Sequence, residues 1–305
     1  MRTIKLGKSL FDVPVIAVGC MRINKIDKKQ AEAFVQFALD IGANFFDNAD
    51  CYGDGECERI MADALHMNPS LRERIIVQTK CGITPVSFDF SKKHIIEAAE
   101  ASLKRLNTDY IDVLLLHRPD MLVEPEDVAE AFDILHYQGK VKYFGVSNQH
   151  PMLISLLQKH VHFPIVANQM QFSIMHPFMA SQVQHVNMLD DLAVDRDGGV
   201  LDFCRMNDIT IQAWSPFQHG FFGGVFLDNE KFPKLNEKIN EIADKYGVTN
   251  TTIAVAWILR HPAKMQVVTG TMNIDRLKDC VKAAEVRLTR EEWYEIYLAA
   301  GNILP

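Results

Sequence analysis

YIDVLLLH, residues 110–117, is the stretch on which the fold turns. It is nearly all apolar, and it stops on His117. A run this continuous suits a strand buried on both faces, as parallel strands covered by helices are. Upstream, Ser91 precedes a helical pattern that carries Ile96, Ala99, Leu103 and Leu106 on one face. Downstream, EPEDVAEAFDILHYQGK (124–140) reads as a helix ending at Gly139.

The same alternation extends to both ends of the chain. PVIAVG (14–19) is followed by Asp27, a plausible N-cap, and by Ala31, Phe34, Val35, Ala38 and Leu39 at helical spacing. ANFF (43–46) precedes the helical ECERIMADAL (56–65), and RIIVQTK (74–80) is the third strand-like run. KYFGVSN (142–148), PIVANQ (164–169), ITIQAWS (209–215) and MQVVTG (265–270) supply four more, each leading into a helical pattern. Thr289 and Glu292 open a final helix as a capping box. About eight strand–helix alternations predict a single (β/α)8 TIM barrel over residues 1–305, with an N-terminal extension and a C-terminal helix. A doubly wound sheet has the same alternation, but no G-x-G-x-x-G follows any strand. No Gly/Ser-rich linker or shift in composition marks a domain boundary.

Composition narrows the function. A net charge of −7 argues against nucleic acid or an anionic membrane as partner. No apolar run approaches the roughly 20 residues that span a bilayer. MRTIKLGKSL lacks the apolar core of a signal peptide, and the six scattered cysteines read as reduced thiols of a cytoplasmic protein. Monomer or weak homo-oligomer is the expected state.

The ends of the strand-like runs carry the chemistry. The second ends on Asp47, the third on Lys80 and the fourth on His117. The later runs end on Ser147 and Asn148, Gln169, Trp214 and Gly270. In a barrel these positions meet on one rim. A strand can end on any polar residue, so each position taken alone is unremarkable. Asp, Lys and His on three consecutive strands, with Tyr52 just beyond the first in FFDNADCYG (45–53), are harder to explain as strand ends alone. A lysine near a phenol favours the phenolate and lowers its pKa from about 10, and an aspartate would hold that lysine. Tyr52 is thus expected to be a tuned proton donor, with His117 facing a substrate oxygen. No G-x-S-x-G occurs, and no cysteine falls among these rim residues, so no nucleophile is evident. A proton donor without a nucleophile suits carbonyl reduction.

Asp-x-Ala-x-x-Tyr-Gly (47–53), Lys80, LLLHRPD (114–120), GVSN (145–148), NQ (168–169) and TGTMNIDRL (269–277) together resemble the aldo-keto reductase family. The likeness runs in the family's order through nearly the whole chain and looks closest to its bacterial general oxidoreductase branch. It implies reversible NADPH-dependent reduction of a small carbonyl substrate, with Tyr52 as general acid, Lys80 and Asp47 modulating it, and His117 orienting the carbonyl. It also implies that Ser147, Asn148 and Gln169 hold the nicotinamide carboxamide and that Trp214 stacks on the ring. Gly19 and Met21, with Asp47, join the cofactor-binding set. Ser215 and Pro216 follow the pyrophosphate, while Gly270, Thr271 and Arg276 receive the adenosine end and its 2′-phosphate. Asn48, Gly270 and Cys280 depart from residues common in the family, so NADP(H) over NAD(H) rests mainly on Arg276.

Two rival readings are a nicotinamide-binding redox sensor or subunit with slow turnover, and a metal-dependent hydrolase. The second lacks a ligand set, His176 and His185 being its nearest approach. The long segment 172–198 and the loop 217–230 are expected to wall the substrate pocket. Phe217, Phe221, Phe222 and Phe226 are candidates for its lining, and Gly220, Gly223 and Gly224 suit a loop that moves.

Overall fold

A computed structural model describes residues 1–305. Ten strands form: β1 (Thr3–Lys5), β2 (Asp12–Pro14), β3 (Ile16–Gly19), β4 (Phe45–Asp47), β5 (Ile76–Cys81), β6 (Ile111–Leu116), β7 (Val141–Ser147), β8 (Ile165–Gln171), β9 (Thr210–Trp214) and β10 (Gln266–Thr269). β3 to β10 run parallel and close on one another, because β10 pairs with both β9 and β3. The predicted barrel is therefore the fold, and its closed sheet has no open edge.

Every residue of β6 is buried, as its apolar run requires. Asp112, the acid within that run, accepts from Val77 N and pairs with Arg72 at 2.7 Å and Lys142 at 3.0 Å. That pairing is what lets a carboxylate sit in a buried strand. The N-terminal extension is an antiparallel β1–β2 hairpin, whose Leu6 and Val13 join Ala17, Phe45, Val113 and Val166 in one apolar cluster. Flanking helices fall where the periodicity placed them, and Asp27 and Thr289 both make capping boxes. The helix Lys92–Leu106 turns slightly from its expected face: Ile95 is fully buried and Ile96 only partly. The C-terminal helix Arg290–Ala299 docks through Trp293, stacked on Trp257 at 4.6 Å, each indole N–H donating to the other's carbonyl.

Candidate active site

A chain of buried glutamines runs through the barrel and ends on a carboxylate. Gln266 donates to Pro14 O at 2.8 Å and accepts from Gln212 at 2.8 Å. Gln212 accepts in turn from Gln78 at 2.9 Å and from Gln169 at 3.1 Å. Gln78 and Gln169 also donate to Asp47 Oδ1, at 2.6 and 3.1 Å. All five side chains are buried, and at low local dielectric such a connected network fixes its end group tightly. Sequence reasoning missed it, since a lone glutamine in an apolar run has no periodicity to reveal it.

Lys80, near the end of β5, takes the other oxygen. Its Nζ donates to Asp47 Oδ2 at 2.8 Å, to Asn48 O at 2.7 Å and to Tyr52 Oη at 3.3 Å. All three ammonium donors are thus used on a fully buried side chain. Burial acts to lower the Lys80 pKa, but Asp47 and Tyr52 outweigh it, and the ammonium is held above its ordinary range. Because the Tyr52 oxygen accepts from the ammonium, its own proton is left to face outward.

The turn after Tyr52 needs a left-handed backbone. Gly53, Asp54 and Gly55 have φ of 56°, 54° and 84°, a run that glycine and aspartate tolerate. It reverses the chain into the helix Glu56–Ala64 and leaves Tyr52 on the rim. One expectation is corrected here. Burial raises the Tyr52 pKa above 10.0, and Lys80 opposes that shift without reversing it.

His117 follows β6, its ring 5.8 Å from that of Tyr52 and nearly perpendicular to it. Burial, then Lys80 and Arg118, depress its pKa to about 2, so the imidazole is neutral. Cys51 departs from the expectation that no cysteine joins the rim. It lies in the cleft wall with Sγ 3.6 Å from His117 Nδ1. It precedes Tyr52 in a turn rather than ending a strand, so reading strand ends overlooks it. Burial and Asp50 push its thiol up to about 11, which makes it a hydrogen-bond donor and no thiolate. In the tautomer whose Nδ1 accepts from this thiol, the imidazole proton sits on Nε2.

Of the catalytic and cofactor-binding residues expected from the sequence, all but Lys80 line one cleft of about 790 Å³ at the C-terminal ends of the strands. Lys80 lies beneath it. Ser147 donates to Gln169 O, Asn148 Nδ2 donates to Ser147 Oγ, and Trp214 Nε1 donates to Asn148 Oδ1. Asn148 and Ser215 have φ of 56° and 52°, strained positions at the rim. The Thr269 hydroxyl is buried there without a partner.

One end of the cleft is basic. Arg22, Lys25 and Arg276 line it, and none of the three forms an ion pair within the chain. Arg22 donates to Gly270 O at 3.2 Å, and a Cβ at Gly270 would lie 2.6 Å from Arg22 Nη1. The glycine thus leaves room for an arginine brought from another strand. Arg22 and Lys25 were missed in the sequence because they follow β3, far along the chain from Arg276. Asn273 caps the helix Ile274–Lys282, whose N-terminus opens at this same end. Unpaired cations at a helix N-terminus fit phosphate groups.

The loops behave unequally. Phe217 and Phe222 line the cleft, and Phe221 faces a side cavity of about 270 Å³. Phe226 is instead fully buried in the core. His176 lines the side cavity, whereas His185 is buried and holds Asp190 at 2.8 Å. No three His, Cys, Asp or Glu side chains are grouped to hold a metal ion.

A closed barrel thus carries an Asp–Lys–Tyr–His cluster at the floor of a rim cleft. The Aldo/keto reductase family model matches residues 15–299, and the chain belongs to that family. It is 34% identical to the oxidoreductase YcsN of Bacillus subtilis, with 98% of each chain covered. It is likewise 34% identical to a 6-dehydroglucose reductase of Agrobacterium fabrum, with 99% of each covered. The solved structure of the thermostable aldo-keto reductase Tm1743, bound to the inhibitor epalrestat, superimposes with a TM-score of 0.75 at 26% identity, covering 98% of this chain and 100% of that one. The chain is accordingly an NAD(P)H-dependent oxidoreductase of a family that acts on small carbonyl compounds. No helix is long and apolar enough to cross a membrane.

Proposed function

We propose that the chain, acting as one cytoplasmic barrel domain, reduces aldehydes or ketones to alcohols with NADPH and Tyr52 as proton donor. The observation that carries this reading is the Lys80 ammonium, hydrogen-bonded at once to Asp47 and to Tyr52. The three cations at the far end of the cleft support NADPH over NADH, with Arg276 and Arg22 taking the 2′-phosphate and pyrophosphate. Ser147, Asn148 and Gln169 would hold the carboxamide, and Trp214 the ring face. When bound, the nicotinamide supplies the hydride.

The chain's own residues handle the proton and the developing charge. His117 is neutral, and its Nε2-protonated tautomer donates to the carbonyl oxygen and orients it. Tyr52 gives its proton to that oxygen as negative charge builds there. The phenolate left behind faces the Lys80 ammonium at 3.3 Å, which stabilises it. Asp47 holds the ammonium in place, and the glutamine chain holds Asp47.

The test is NADPH consumption with aromatic aldehydes and dicarbonyls, comparing wild type with Tyr52→Phe. Loss of about 10²–10⁴-fold in kcat with NADPH binding retained is the expected result. Equal turnover by both proteins would remove Tyr52 from the reaction.

A further inference from the structure

Arg118 follows His117 and faces the same cleft, yet its guanidinium forms no ion pair with any carboxylate of the chain. Its five N–H donors form no hydrogen bond within the protein, although the side chain is half-buried. The nearby acid Asp120 is engaged elsewhere, accepting from Phe90 N at 2.9 Å and Leu122 N at 2.8 Å. What holds Arg118 is aromatic: its Cζ lies 5.7 Å from the Trp214 ring centroid and 5.6 Å from that of Phe221. Cation–π contact of this kind takes up none of the guanidinium's N–H donors.

The placement separates this cation from those assigned to phosphates. Arg118 follows β6, which stands directly across the eight-strand ring from β10, where Arg276 begins its helix. It also borders both the main cleft and the side cavity. A free planar fork beside the carbonyl-orienting histidine matches a carboxylate of the substrate.

We propose that Arg118 anchors a carboxylate carried by the substrate, so that the preferred carbonyl compounds are oxo-acids. This inference rests on the reductase reading above. The side cavity, lined by Met170, Met179 and Phe221 but also by Gln171, Arg196 and Asp197, receives the remainder of such a molecule.

The test uses 2-, 3- and 4-formylbenzoate, each beside its neutral methyl ester, with wild type, Arg118→Gln and Arg118→Lys. At least one acid is expected to exceed its ester tenfold or more in kcat/KM, mainly through KM. Arg118→Gln should collapse that ratio, and Arg118→Lys should restore part of it. A variant that slows acid and ester equally, or a wild type that never prefers an acid, overturns the proposal. Calorimetric titration of the same acids into the NADP⁺-loaded protein reads the anchor without turnover. Acid binding that is lost in Arg118→Gln supports the anchor, whereas absence of acid binding in wild type refutes it. A protein that binds the acids but reduces none of the compounds would instead overturn the reductase reading.

Discussion

Gln78 donates to Asp47 Oδ1 at 2.6 Å, on the carboxylate oxygen that Lys80 leaves free. The residue that holds the lysine is itself held from beneath by the barrel interior. Gln78→Met keeps the volume and removes all three of its side-chain hydrogen bonds, one to Asp47 and two with Gln212, leaving Gln212 short of a partner. We expect a loss of about 1–3 kcal/mol in unfolding free energy, measured by denaturant titration. Turnover should fall through kcat, with KM for NADPH little changed; a normal kcat would mean that Lys80 alone suffices to place Asp47.

Lys80→Met should have the larger effect. It leaves Asp47 buried without its ion pair, a change that destabilises by about 3–5 kcal/mol, and it removes the cation facing Tyr52. Lys80→Met combined with Asp47→Asn should recover much of the stability but none of the activity. Thermal melts and NADPH turnover on the two variants separate the structural part of the pair from the chemical part.

The basic end of the cleft makes a separate prediction. Arg276→Met should weaken NADPH by about 10–100-fold, the worth of a charge-assisted bond to phosphate, and NADH much less. Fluorescence titration with both cofactors checks it. Equal weakening would show that Arg276 does not read the 2′-phosphate. Arg22→Met should weaken both cofactors, because Arg22 reaches the cleft from β3 beside Gly270.

Acidification should act through His117. Its folded pKa, about 2, lies below the ordinary 6.5, so the unfolded chain takes up a proton that the folded chain refuses. The stability that follows is complete above pH 6.5 and declines as pH falls toward the folded value. His261, lowered to about 4 chiefly by burial, adds to the same decline. His117→Asn should therefore lose less thermal stability than wild type between neutral and mildly acid pH. The rate of reduction has the opposite limb: it should fall only at alkaline pH, as Tyr52, held above 10.0, loses the proton it must give.

Much of this was legible in the chain itself. Strand and helix positions follow from local apolar patterns, and a strand buried on both faces announces itself by its continuity, as β6 does. Asp47, Lys80 and His117 were visible because each lies at or beside a strand end, and parallel strands in a barrel bring all such ends to one rim. Tyr52 was found by its closeness to Asp47 in sequence.

Tertiary structure alone decided the rest. The glutamine chain, the proximity of Cys51 to His117 and the meeting of Arg22 with Gly270 join residues from strands or turns far apart in the chain, with no local pattern to mark them. The sign of the Tyr52 shift also belongs here. The sequence names its charged neighbours, but burial is the larger influence, and burial depends on how the whole barrel packs around the phenol. Residue types and strand ends are local properties of the chain; desolvation and contact between distant strands exist only once the barrel has closed.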